Sequence, residues 1–325
     1  MTPKTMRLVE RILKGENVSL SRVISLVENE SSQVPEIMKL IAPHLGKAHC
    51  IGVTGPPGVG KSTLIDKLTV LMRKQGLKVG IIAVDPSSPF TGGAVLGDRI
   101  RMQQHYLDDG VFIRSMATRG SVGGLPQATS SVTKLLDAAG KDIILIETVG
   151  VGQSEVDIME KTDTVLVILC PESGDAIQTM KAGLFEIADI FVVNKSDHPG
   201  ADNFVRDIQA MLQLHETSWW NIPVVATEAV NDIGIEELYK QIQLHHQALC
   251  EEGRLSQRRQ LQRKQDFIKT LERKLTHELL MLIEQDGQLR IYIERVEKGE
   301  LDPYSAADEI LKSGNLLTDW LRQQS

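Results

Sequence analysis

The chain has 325 residues, 42% of them hydrophobic and 24% charged, and carries a formal net charge of −7. That length suits one large domain with appendages or two small ones, and a composition near the globular average excludes a disordered or fibrous class. The acidic balance argues against a nucleic-acid partner, no apolar run approaches the ~20 residues that cross a bilayer, and residues 1–16 hold no apolar leader core, so a cytoplasmic protein without a membrane partner is expected.

Residues 1–46 read as a helical N-terminal extension. Met6, Val9, Ile12 and Leu13 are spaced for one helix, and Leu20, Val23, Ile24 and Val27 for a second capped by Ser19 or Ser21. A third is predicted from Pro35 to Leu45, with Gly46 ending it. Residues 47–250 then alternate helical patterns with short β-branched runs at Ile51–Thr54, Val79–Val84, Val111–Ile113, Ile143–Thr148, Thr164–Leu169, Ile190–Asn194 and Ile222–Thr227. Continuous apolar runs mark strands buried on both faces. Their alternation with helices predicts an α/β fold with a mainly parallel central sheet flanked by helices, and a ligand beyond the carboxyl ends of the strands.

Residues 251–325 read as a helical C-terminal arm. Leu261, Ile268, Leu271, Leu275, Leu279 and Leu282 follow a three-and-four spacing that predicts a long amphipathic helix. Its basic face, from Arg254, Arg258 and Arg259 to Arg273 and Lys274, reads as solvated. Asp302-Pro303 marks a later helix start. Such a tail has few partners within itself, so it is expected to pack on another subunit. Cys50, Cys170 and Cys250 lie far apart with no C-x-x-C spacing, which indicates neither a zinc site nor a disulfide framework. His245-His246 read as surface or packing residues of a helix.

Chemistry concentrates at the strand ends. Gly55-Pro56-Pro57-Gly58-Val59-Gly60-Lys61-Ser62 fits G-x-x-x-x-G-K-[ST], with an apolar strand before it and a helix opening at Thr63 after it. Its backbone N–H groups and the helix dipole would cradle a phosphate. Lys61 would sit on the β- and γ-phosphates, and Ser62 would offer its hydroxyl to Mg²⁺. The fold expected is therefore that of a P-loop NTPase with helical N-terminal and C-terminal extensions.

Asn194-Lys195-Ser196-Asp197, directly after a strand, fits the N-K-x-D pattern of GTP-binding proteins. Asp197 can accept hydrogen bonds from guanine N1–H and N2–H₂, and adenine lacks both donors, so an unpaired carboxylate penalises the wrong base. The Lys195 stem would lie along the base and Asn194 would brace the loop. In Thr227-Glu228-Ala229, after the last strand, the Ala229 N–H is the expected donor to guanine O6. Asp85, Asp98 and Glu147 are candidate Mg²⁺ ligands beside Ser62, although each could instead cap a helix or serve as a plain loop carboxylate. Glu147-Thr148-Val149-Gly150 stands where many GTPases carry D-x-x-G, with the Gly150 N–H available to the γ-phosphate. Val151 occupies the place of the usual water-orienting glutamine, so slow intrinsic hydrolysis is expected.

With Val84-Asp85-Pro86-Ser87-Ser88-Pro89, Leu96-Gly97-Asp98 and the run from Glu147 to Glu155 in order around these motifs, the chain resembles the methylmalonyl-CoA mutase-associated GTPases, the MeaB/ArgK family, over nearly its full length. The resemblance implies a GTP/GDP-switched, Mg²⁺-dependent homodimeric chaperone. Its client would be an adenosylcobalamin-dependent acyl-CoA mutase of the methylmalonyl-CoA mutase type, whose cofactor loading it gates. It also implies a mobile loop at Pro171–Lys181 in which Lys181 and Asp175 answer the partner and assist hydrolysis, while residue physics alone leaves Lys181 an ordinary surface lysine. An amino-acid kinase and a metallochaperone GTPase are the rival readings.

Overall fold

In the computed structural model, residues 3–85, 102–117, 125–126, 128–148, 157–171, 184–214, 219–285 and 287–312 are described. Seven strands form one parallel sheet: β1 (His49–Thr54), β2 (Val79–Asp85), β3 (Val111–Ala117), β4 (Ile143–Glu147), β5 (Thr164–Leu169), β6 (Ile190–Asn194) and β7 (Val224–Thr227). Their order is β3-β2-β4-β1-β5-β6-β7. All seven runs read from the sequence are strands. β3 extends four residues further than predicted, and β7 begins at Val224 rather than Ile222, because Pro223 carries no N–H for the ladder.

β1 lies between β4 and β5. The chain first fills one side of β1 and then crosses to the other, so the sheet's direction of growth reverses at β1. A crevice opens at such a reversal, off the carboxyl ends of the strands. β4 (IILIE) and β5 (TVLVIL) are buried along their whole length. Successive residues serve opposite faces: Ile144 and Ile146 join one apolar cluster, Leu145 joins the other. Each such side chain contributes about 1.5–3 kcal/mol when fully buried.

The first face is covered by α1 (Pro3–Leu13), α2 (Asn17–Glu28), α3 (Val34–Ile41) and α5 (Ala128–Ala138), through Ile12, Leu20, Ile24, Ile37 and Leu135. The N-terminal helices are thus part of this core. Two local readings need correction. α2 starts at Asn17 with Glu16 at its cap, and neither Ser19 nor Ser21 caps it; Ser19 is buried and donates to Glu16 at 3.1 Å. α3 stops at Ile41 and a 3₁₀ turn spans Ala42–His44, where Pro43 removes a helical N–H. The second face carries α4 (Lys61–Lys74) and α7 (Ile235–Cys250), through Leu64, Leu68, Leu238 and Ile242. α6 (Ala201–Leu214) packs beside β6 and β7.

α8 (Arg254–Gln285) begins the arm, followed by α9 (Gly287–Glu297) and α10 (Pro303–Lys312). Asp302 caps α10 as predicted, its Oδ1 accepting the Tyr304 and Ser305 N–H groups at 3.0 Å each. Contacts divide the chain into units Met1–Gln262 and Arg263–Ser325. Within the second, α9 packs on α10. No helix among the described residues is long and apolar enough to cross a membrane.

The root of α8 departs from the reading of a solvated basic face. Arg259 grips the buried Asp163 carboxylate at 2.9 and 2.6 Å and donates to the Gly46 and Ala48 carbonyls at 2.6 and 2.7 Å. Its neighbour Arg258 holds Asp189 at 3.2 and 3.3 Å. Burial pushes both carboxyls upward, but these guanidinium partners, joined at Asp189 by His245, outweigh it and hold them below the ordinary range. The Thr164 hydroxyl lies 2.8 Å from His49 Nε2 and 2.9 Å from His245 Nδ1. His245 is wholly buried, the packing rather than the surface alternative, and burial drives the His49 pKa down to about 3.

Candidate nucleotide site

The carboxyl end of β1 runs through residues 55–60 into the first turn of α4. Two glycines make that turn possible. Gly55 has φ 139°, and a Cβ there would stand 2.0 Å from the Ile168 carbonyl oxygen; Gly60 has φ 96°, and a Cβ would meet the Asn194 amide at 2.4 Å. Any larger residue would push the loop off β5 or off the asparagine. Pro56, Pro57 and Gly58 form the outer bend, and Val59 is buried beneath it.

Lys61 is 7% exposed and folds back over the loop, its Nζ donating to the Gly55 and Pro56 carbonyls at 2.7 and 3.0 Å. The Ser62 hydroxyl donates to Glu147 Oε1 at 2.7 Å. This pairing follows from the sheet register: Glu147 stands opposite Val53 at the end of β4, and the Thr148 N–H donates to the Val53 carbonyl at 3.0 Å. Thr54 and Thr148 join hydroxyls at 2.8 Å.

Asn194 closes the ends of β6 and β7 onto the loop. Its amide N–H donates to the Val59 carbonyl at 2.7 Å, and its Oδ1 accepts from the Thr227 hydroxyl and the Ala229 N–H at 3.1 Å each. The Ala229 N–H, the expected donor to guanine O6, donates here to Asn194 Oδ1, which lies between the two donors. Lys195 adopts φ 57°, and the Ser196 N–H donates to the Thr227 carbonyl at 3.0 Å. Beyond this turn the Asp197 carboxylate is exposed, with His198 Nε2 3.8 Å away.

These groups share one cavity of about 630 Å³, lined by Lys61, Ser62, Glu147, Asn194, Lys195 and Asp197 and walled further by Gly58, Gly60, Thr63, Glu228 and Ala229. Gly55, Pro56, Pro57, Val59 and Thr227 support it without lining it. Sequence reasoning gave no site role to Val84, Thr148, His198, Val230 and Asn231, which share the same lining; for the last two, the only available signal was their position after Thr227-Glu228-Ala229. Asp85 ends β2, and its side chain lies outside the described residues, as do Asp98, Gly150, Asp175 and Lys181.

The donor set fits a nucleotide with Mg²⁺. A serine hydroxyl and a carboxylate are hard oxygen ligands, and Mg²⁺ keeps waters, so few protein ligands suffice. Among the described residues no group of three or more His, Cys, Asp or Glu side chains could hold a metal alone. The helix N-terminus and Lys61 supply positive charge to an anion. A volume in the range of about 300–1,000 Å³ is typical of a small-ligand site.

Comparison with known proteins agrees with this geometry. The profile of the family described as methylmalonyl Co-A mutase-associated GTPase MeaB matches residues 20–284. A Pyrococcus abyssi protein named as a GTPase by inference is 50% identical over 309 residues, 94% of this chain and 95% of the relative. GTPase ArgK of Escherichia coli is 34% identical over 304 residues, 91% and 92% of the two chains. The solved structure described as LAO/AO transport system kinase superposes with a TM-score of 0.69 at 27% identity, covering 96% of this chain and 98% of that one.

Proposed function

Because the chain belongs to the methylmalonyl-CoA mutase-associated GTPases, we propose that it binds GTP with Mg²⁺, hydrolyses it slowly, and uses the GTP/GDP difference to gate cofactor loading of an adenosylcobalamin-dependent acyl-CoA mutase. The observation that carries the nucleotide half is the single cavity joining the phosphate loop, the Ser62–Glu147 pair and Asn194-Lys195-Ser196-Asp197. In this reading Lys61 leaves its two carbonyl partners for the β- and γ-phosphates, and Ser62 turns its hydroxyl oxygen from Glu147 to the metal. Mg²⁺ held there would supply positive charge against the charge developing at the γ-phosphate. Ser62, Glu147, Asp85 and Asp98 would hold the metal, and the Gly150 N–H would take a γ-phosphate oxygen.

Asp175 and Lys181 are assigned the partner-responsive part of hydrolysis on the strength of the family resemblance. The homodimer is assigned to the arm, supported by Phe267, Leu271 and Leu275, which are 66%, 45% and 50% exposed at four-residue spacing on α8. Such a stripe is what one helix offers another. A cytoplasmic location completes the proposal.

A ligand shifts a conformational equilibrium only by its differential affinity for the two states. The mutase is therefore expected to bind the GTP-analogue form and the GDP form with affinities at least ~10-fold apart, about 1.4 kcal/mol. Sedimentation of the purified mutase with each form measures this, and equal affinities contradict the gating role. One competing reading, phosphoryl transfer to an amino acid, is favoured by the description of the superposed structure as a kinase. Incubation of GTP or ATP with candidate amino acids separates the two, since our proposal yields only nucleoside diphosphate and inorganic phosphate.

A further inference from the structure

The turn after β7 is held from every side. The Glu228 N–H donates to the Ile233 carbonyl at 3.0 Å, and the Ile233 N–H donates back at 3.3 Å. Asp232 takes φ 60°, with its carboxylate 3.0 Å from Lys67 Nζ on α4. Gly234 follows at φ 76°, where a Cβ would lie 2.3 Å from the Ala226 carbonyl oxygen. The Ala229 N–H is fastened to Asn194. A turn so fixed presents its tip in one position, and the tip is Val230.

Val230 is 78% exposed, yet it lines the nucleotide cavity, as Lys195 and Asp197 do. Ile233, on the same turn and 52% exposed, lies off that lining. An apolar side chain on a turn whose backbone is pinned beside a polar cavity offers a flat, base-sized ligand a surface that water does not reward. A purine has two faces. The aliphatic stem of Lys195, set by its left-handed backbone, offers one cover.

We infer that Val230 is the second wall of a purine slot, gripping the base by its face while Asp197 reads its edge. This rests on the guanine-nucleotide reading above and adds to it a residue that sets purine affinity without choosing between purines. Apolar contact with a ring face does not depend on the exocyclic groups. Edge reading does.

Equilibrium binding of GTP, GDP and inosine triphosphate to wild type, Val230→Ser and Val230→Ile separates the two. Val230 sits on the surface, so both variants are expected to fold. Val230→Ser is expected to raise all three dissociation constants by one common factor of about five, the size of covering roughly half a valine side chain. The ratio of GTP to inosine triphosphate, set by the 2-amino group on Asp197, stays at the wild-type value. Val230→Ile, which keeps the apolar face, is expected to bind all three within about twofold of wild type, and a loss as large as that of Val230→Ser would also overturn the inference. Wild-type constants in Val230→Ser, or a loss confined to GTP or altering that ratio, would overturn the inference and leave the nucleotide reading intact. Wild type that binds none of the three nucleotides would overturn both.

Discussion

A single side-chain amide, that of Asn194, ties three separate segments together: the phosphate loop through Val59, the end of β7 through Thr227, and the following turn through Ala229. Each bond contributes about 0.5–1.5 kcal/mol net, but their joint effect is to fix where Asp197 stands relative to Lys61. Asp197 lines the cavity, and in the proposed role its carboxylate accepts from the two donors on the guanine edge. An asparagine there offers one donor and one acceptor, which matches the N1–H and O2 of xanthine instead. Asp197→Asn is therefore expected to weaken GTP binding by about 100-fold, roughly 2.7 kcal/mol, and to favour xanthosine triphosphate over GTP. Competition binding with both nucleotides checks this, and an unchanged preference for GTP would contradict the edge-reading role. The residues of this site were legible because their types sit in fixed patterns at strand ends. The bond from the Ala229 N–H to Asn194 was not legible because its acceptor lies 35 residues away in sequence, and Val230 belonged to no pattern.

The elements were readable wherever one periodicity dominated. Two-face burial left β4 and β5 as unbroken apolar runs, and α10 announced itself through Asp302-Pro303. The basic face at the start of α8 was misread for a different reason. A helix wheel shows which residues share a side but not what waits there, and the carboxylates that take Arg258 and Arg259 come from 69 and 96 residues upstream. Asp163 is 2% exposed and depends on Arg259 to remain ionised. Arg259→Ala is expected to destabilise the fold by about 3–5 kcal/mol, because removing one partner of a buried pair strands the other. The pH dependence fixes the cause. In wild type the folded Asp163 pKa is depressed, so its contribution is present above the unfolded value and is lost as pH falls through the folded one. Without the guanidinium, burial, the largest influence on Asp163, is opposed mainly by the Cys50 N–H at 2.9 Å, so the pKa rises and protonation then relieves the strain. The deficit of the variant should narrow as pH falls from 7 towards about 4.5; denaturant melts across that range measure it, and a deficit independent of pH would contradict the assignment.

Three strands connect the buried ion pairs at one end of the sheet to the cavity at the other. β1, β5 and β6 start from His49, Asp163 and Asp189, where the root of α8 and the buried His245 hold them. At their other ends β1 and β6 deliver residues 55–60 and the turn Asn194-Lys195-Ser196-Asp197 to one cavity, and β5 supplies the carbonyl against which Gly55 packs. The reversal of strand order at β1 opens the crevice there. The central claim is that this crevice is a guanine-nucleotide site, and titration calorimetry of the purified full-length chain with GTP and with GDP in the presence of Mg²⁺ tests it directly. One saturable site per chain is expected for each nucleotide, with both abolished in Lys61→Ala; absence of binding heat with the folded wild-type protein, or unchanged binding in Lys61→Ala, would rule such a site out.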